Sequence, residues 1–186
     1  MVTLGALWLP IVLSAVIVFF ASFIIHMVLR YHQSDYTKLP NEDAVRAAIR
    51  AGNPRPAQYI IPYCATPKDM QSPEMMQKFT EGPIAVLNLK PSGPPSMGPS
   101  LLQWFVFVLI ISFFLAYVGA HTLPAGTEYL EVFRVVGTVG FLAYAAGIFP
   151  AAIWMGKPWK VAIKEAIDGL IYGLLTAGTF GWLWPE

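Results

Sequence analysis

Few residues in this chain have the types needed for chemistry, and their spacing decides what chemistry that would be. The histidines are His26, His32 and His121, and there is one cysteine, Cys64. A haem held between membrane helices needs two axial ligands at similar depth on facing helices. His26 falls at one end of the first apolar run and His121 at the opposite end of the second, so a hydrocarbon layer about 30 Å thick separates them. His26 and His32 are six residues apart, which on a continuous helix puts them on different faces. The segment "RYHQSDY" offers His32 and Asp35 as a metal pair at the membrane surface, still in need of a third ligand. His26 alone reads as an interfacial histidine with satisfied hydrogen bonds.

Cys64 has no CxxC partner and no histidine close in sequence, so it reads as an ordinary thiol, and no internal disulfide can form. The chain contains no phosphate loop, HExxH, nucleophile elbow or paired-carboxylate site. The sequence therefore assigns no catalytic, cofactor-binding or metal-ligating residue and calls for no cofactor. A net charge of +1 gives no electrostatic footprint for nucleic acid.

Polar residues inside apolar runs form the other set of candidates. Arg134, Asp168 and Tyr172 belong to it, because an ionisable group in lipid is costly and is functional by default. Asp168 has Lys164 one helical turn before it, which predicts an ion pair near the interface. Glu131 and Arg134, three apart, predict a second interfacial pair.

These residues are positioned by apolar runs. Hydrophobic residues make up 56% of the chain, against about 45–50% in soluble domains. The excess lies outside the polar region from Arg30 to Ser100. Four runs approach the roughly 20 residues that a spanning helix needs: Leu4–Leu29, Leu101–Ala120, Val132–Trp154 and Ile167–Trp184. The first has no Lys or Arg before it and is too long for a signal peptide, so a retained helix is expected. Pro150 predicts a kink in the third. The fold class expected is an all-α integral membrane protein with four transmembrane helices and a small α+β cytoplasmic insertion, residues 30–100, between the first two.

Lys and Arg set the orientation. The insertion and the link holding Lys157, Lys160 and Lys164 are basic, whereas "AHTLPAGTEYLE" has no Lys or Arg. Both basic segments are therefore expected in the cytoplasm and both termini outside. Tryptophan favours the interface, and this topology puts Trp8, Trp182 and Trp184 at the outer one and Trp104, Trp154 and Trp159 at the inner one.

Within the insertion, "LPNEDAVRAAIRAGNP" predicts a helix from Asn41 to Gly52, and "SPEMMQKFTEG" a second one capped by Ser72. The runs "AQYIIPYC" and "PIAVLNLKP" are rich in β-formers and are expected to pair.

In the last run, Gly169, Gly173, Ala177 and Gly181 recur every four residues, making one shallow groove. The third run has a related stripe at Gly140, Ala143, Gly147 and Ala151. Small residues at this spacing let membrane helices approach closely. The simplest expectation is an antiparallel hairpin of these two helices; the alternative is that a groove receives a helix from another subunit, or from a second copy.

At "LPNEDAVRAAIR", "SPE", "GPPSMG" and most specifically "IDGLIYGLLTAGTFGWLWP", the chain resembles a set of uncharacterised bacterial four-helix inner-membrane proteins of about this length. The resemblance covers nearly the whole chain. It implies a bacterial inner membrane and supplies no activity, substrate or site residue.

The function expected is non-catalytic: a small accessory or assembly subunit packed in the bilayer against a larger membrane complex, for example an energy-transducing one. A second reading is a small transporter or channel with Arg134, Asp168, Tyr172 and Thr176 along its path. A third is a membrane enzyme with His32, Asp35 and Cys64 at the cytoplasmic face.

Overall fold

The computed structural model describes residues 2–186. A 3-10 turn, Leu4–Leu7, leads into α1 (Trp8–Phe23), which runs on through a π turn, Ile24–Val28. Then come α2 (Glu42–Ala51), β1 (Gln58–Ile61), α3 (Pro73–Glu81) and β2 (Ala85–Asn88). The last helices are α4 (Met97–Thr122), α5 (Tyr129–Ala145), α6 (Phe149–Trp154) and α7 (Trp159–Trp182). The chain divides into two compact units: an insertion, Thr37–Pro95, and a helical unit formed by the segments on either side of it.

The molecule is mostly helical, and three stretches are long and apolar enough to cross a membrane: Leu4–Val28, Met97–Thr122 and Tyr129–Trp154. Helix α7 has the length but is less apolar, since Lys160, Lys164, Glu165 and Asp168 occupy its first half and glycines and threonines its second. The third stretch is broken by a 3-10 turn at Ala146–Ile148. Pro150 lies four residues after Ala146, so its ring opposes the carbonyl that a regular helix would present there, and it has no N–H to donate.

Helices α5 and α7 run antiparallel in very close contact. A Cβ on Gly173 would lie 2.9 Å from the Phe141 backbone nitrogen, and one on Gly169 3.0 Å from the Ala145 Cβ. Farther along, Gly137 faces Ala177 and Gly181 lies under the Tyr129 ring. Each small residue thus removes a side chain where a backbone or ring fits instead, gaining dispersion contact between the two helices. The α5 stripe is not the one that four-residue spacing suggests. Gly140 faces Gly173, but Ala143 and Gly147 are exposed, and Tyr144 and Ala145 continue the contact.

Two apolar clusters fill the helical unit. One gathers Leu7, Leu115, Val132, Val136, Phe180 and Trp184; the other gathers Ala15, Val18, Ile25, Val108 and Tyr172. Between α1 and α4, the buried Ser14 hydroxyl donates to the Ser112 hydroxyl at 3.1 Å. Trp184 donates its indole N–H to the Pro124 carbonyl at 2.9 Å and lays its ring over Gly119.

In the insertion, β1 and β2 pair antiparallel with Gln58 opposite Asn88 and Ile61 opposite Ala85. Helix α3 begins at Pro73, and the Ser72 hydroxyl accepts from the Met75 N–H. Asn41 stands at the start of α2 without a side-chain cap bond.

Because the contact at Gly173 is with backbone, a side chain there has nothing flexible to displace. Gly173→Val is expected to destabilise the folded state by about 1–3 kcal/mol through overpacking. Gly147→Ala, where an added Cβ meets nothing within 4 Å, is expected to leave stability unchanged. Thermal melts of the detergent-solubilised variants check both.

Candidate functional site

The residues with chemical potential converge where α1 ends. The π turn closes with the Leu29 N–H donating to the Ile24 carbonyl at 2.9 Å, an i to i+5 bond. Arg30 then takes a left-handed conformation at φ 54°, and Tyr31–Asp35 form a 3-10 turn. A left-handed residue at a helix end turns the chain back on itself, and single π turns recur at functional sites.

This reversal corrects the separate-faces expectation for the two histidines. That expectation assumed a helix continuing through His32. In the structure the helix stops at Arg30, and the His26 and His32 rings stack with centroids 4.6 Å apart and an interplanar angle of 9°.

Asp168 reaches the same place from α7. It is buried, at 3% relative exposure. One carboxylate oxygen accepts from the Tyr31 hydroxyl, and the other lies 2.7 Å from His32 Nε2. The predicted Lys164–Asp168 pair does not form. Lys164 instead donates to Asp35 Oδ1 at 2.5 Å, to the Tyr31 carbonyl at 2.8 Å and to the Ser34 hydroxyl at 2.9 Å. The physical reason is the turn at Tyr31–Asp35, which presents a carboxylate and a carbonyl to Lys164 and leaves Asp168 to two other donors. Asp35 in turn holds His32 Nδ1 at 2.7 Å.

Two titratable groups outside the apolar spans respond to this arrangement. The Lys164 ammonium, then the His32 ring, hold the Asp35 carboxyl below the usual carboxylate range. Burial, reinforced by the hydrogen bond to Asp168, pushes the Tyr31 phenol upward, so Tyr31 stays a neutral donor.

His26 is held from the other side. Its Nδ1 lies 3.0 Å from the Ser22 carbonyl. A carbonyl only accepts, so Nδ1 carries a proton, and Nε2 has no partner of its own among the described residues. The Ser22 hydroxyl donates to Phe19 O and accepts from Trp104 Nε1, both at 2.8 Å. His26, Trp104, Tyr144, Asp168 and Tyr172 share the wall of a cavity of about 250 Å³. The hydroxyls of Tyr144 and Tyr172 are buried and have no hydrogen-bond partner.

The remaining sequence candidates lie elsewhere. Thr176 continues the buried α7 face two turns beyond Asp168, and its hydroxyl donates back to the Tyr172 carbonyl. Arg134 stands apart from that face, exposed on α5, in a groove also lined by Leu130, Gly137, Thr138, Leu170 and Leu174. The expected Glu131–Arg134 pair is absent among the described residues. His121 Nδ1 donates within α4 to the Tyr117 carbonyl at 2.7 Å. Cys64 is a half-buried free thiol of the insertion.

The site centres on His26, His32 and Asp168, one ligand atom of each lying within 4.8 Å of the others. No protein family, curated protein or solved structure matches the chain. The chemistry of the cluster therefore has to be read from its own geometry. Two imidazoles and a carboxylate can bind a cation or share protons.

Sequence reasoning had singled out His32, Asp35 and Asp168 but not Tyr31, and it set His26 apart. Tyr31 lies beside His32 in "RYHQSD", yet nothing in the pattern indicates that the chain reverses there. Tyr31→Phe removes one of the two donors to a buried carboxylate. It is expected to lower stability by about 1–3 kcal/mol, read as a reduced melting temperature with an unchanged helical signal.

Proposed function

We propose that this chain is a four-span protein of the bacterial inner membrane that acts without catalysis of its own, as an accessory or assembly subunit docked against a larger membrane complex. The fourth span is α7. It lies antiparallel along α5, which belongs to a stretch apolar enough to cross, so a bilayer around one surrounds the other. Its 24 residues extend about 36 Å at 1.5 Å per residue. Its buried carboxylate is already partnered, which removes the main objection to placing Asp168 near the hydrocarbon boundary. The distribution of Lys and Arg supports cytoplasmic placement of the insertion and of the α6–α7 link, with both termini outside.

The observation that carries the docking role is the groove around Arg134. This guanidinium lies on an apolar, outward-facing surface with no ion-pair partner among the described residues. An unpaired cation facing lipid costs up to about 2.5–3.5 kcal/mol at mid-span and less toward the ends. A carboxylate on a neighbouring helix removes that cost. The exposed Thr138, one turn on, is a small residue beside which such a helix can approach closely. The occupant is therefore a transmembrane helix of a partner subunit bearing an acidic side chain. The α7 glycines, by contrast, are filled by α5 and offer no second groove.

A mild-detergent purification from native membranes tests this reading. Wild-type protein is expected in a large particle with defined co-purifying subunits, and Arg134→Glu is expected to release it as a lone chain with intact helical content. A solitary wild-type protein that catalyses or transports by itself would sink the proposal.

A further inference from the structure

We infer that His26, His32 and Asp168 form a binding site for a divalent transition-metal ion of the zinc class, with the metal seated between His26 Nε2, His32 Nε2 and the Asp168 carboxylate. This inference stands independently of the docking role.

The donor set is two imidazole nitrogens and one carboxylate oxygen. This is a set suited to Zn²⁺ and its neighbours Co²⁺ and Ni²⁺, not to Mg²⁺ or Ca²⁺, which take oxygen cages. Each imidazole is already oriented for it. A metal-binding histidine characteristically gives its other ring N–H to a carboxylate or backbone carbonyl, which fixes the tautomer and the ring plane. His26 gives Nδ1–H to the Ser22 carbonyl at 3.0 Å, and His32 has Nδ1 on the Asp35 carboxylate at 2.7 Å. His26 Nε2 has no partner of its own among the described residues, and His32 Nε2 is held at 2.7 Å against Asp168, the third ligand, so a metal replaces the proton shared between those two. Asp35 is itself anchored by Lys164 at 2.5 Å, and Asp168 by the Tyr31 hydroxyl. Every ligand therefore has a second partner behind it, supplied by α1 and by the Tyr31–Asp35 turn, which α7 anchors through Lys164.

Distances support a site that tightens on binding. The three ligand atoms lie within 4.8 Å of one another. Tetrahedral zinc with bonds near 2.0–2.1 Å places its ligand atoms about 3.3 Å apart. His32 Nε2 and Asp168 Oδ2, 2.7 Å apart in a direct hydrogen bond, part slightly and release the shared proton as the metal enters, and the closure falls to His26, which is the exposed member of the three.

A second observation points to a ligand at the same place. His26 and Asp168 both line the 250 Å³ cavity, and so does Tyr172, which is 4% exposed and whose hydroxyl has no partner. A buried hydroxyl without a partner costs about 1–3 kcal/mol, and polar cavities of this size hold water. Three protein ligands leave one position of a tetrahedral metal open. A water at that position, on the cavity side, supplies what Tyr172 lacks. The site is thus of the open kind, able to take a small anionic or neutral oxygen ligand from the cavity.

The test uses tag-free, full-length protein in detergent, stripped with a chelator and titrated with Co²⁺ and then Zn²⁺. One equivalent of Co²⁺ is expected to bind with the visible absorption of a four-coordinate ion, and Zn²⁺ is expected to displace it. His26→Gln and His32→Gln are each expected to weaken binding at least 100-fold, and Asp35→Asn about 10–100-fold, the range for a residue that orients a ligand. His121→Gln and Cys64→Ser are expected to change nothing. Binding of less than one equivalent by the wild type, or binding that survives both histidine variants, overturns the inference. Should those variants lose their helical signal, Zn²⁺ protection of His26 and His32 from diethyl pyrocarbonate in the wild type decides instead. Protection of both supports the site, and modification at an unchanged rate refutes it.

Discussion

A carboxylate taken out of water must be met by donors, and Asp168 imposes that condition on the whole helical unit. Its position on α7 is buried against α5 and beside α1. Removing an ion from water costs several kcal/mol unless charge and hydrogen bonds are supplied in return. They come from Tyr31 and His32, which belong to the other end of the sequence. The chain can deliver them only if α1 stops and reverses. The π turn, the left-handed Arg30 and the short turn after it are the backbone's response to that demand. Lys164 and Asp35 then complete a network in which both acids, the ammonium and the imidazole each have a partner within hydrogen-bond distance.

The close approach of α5 and α7 is the complementary condition. Asp168 reaches the end of α1 because its neighbour Gly169 lets α7 lie against the Tyr144 and Ala145 backbone. Bulk at that position would move α7 outward and carry the carboxylate with it. Interior glycines usually weaken helices by about 0.5–1 kcal/mol relative to alanine. Here that loss is offset by contact along several turns, and the small residues serve geometry as much as cohesion.

Much of this architecture was legible in the residues. Of the four runs expected to span, three coincide with helical stretches long and apolar enough to cross a membrane, and the spacing of Gly169, Gly173, Ala177 and Gly181 marked a face for close packing. The β-rich segments of the insertion found each other, and Ser72 with Pro73 marked a helix start. The cluster was less legible, for one physical reason. Periodicity describes a side chain's direction only while an element continues. His26 and His32 straddle a helix end, so their six-residue spacing carried no information about whether they meet. The partner of Lys164 was misassigned on the same ground, since its contacts lie more than a hundred positions away. The α5 stripe failed locally. Ala143 is exposed within the regular helix, and Gly147 is exposed within the 3-10 turn that precedes Pro150.

The turn after α1 also has a bearing on how such clusters are found in other chains. Written linearly, it is a histidine, five intervening residues, a tyrosine-preceded histidine, two more residues and an aspartate, followed far downstream by a lysine four positions ahead of a second aspartate. No helical or strand template contains that grammar. A search built on periodic spacing passes over it, whereas one written around the interruption itself would retrieve relatives by their geometry even where overall similarity has faded. The punctuation of the chain, and not its regular text, is the part worth aligning.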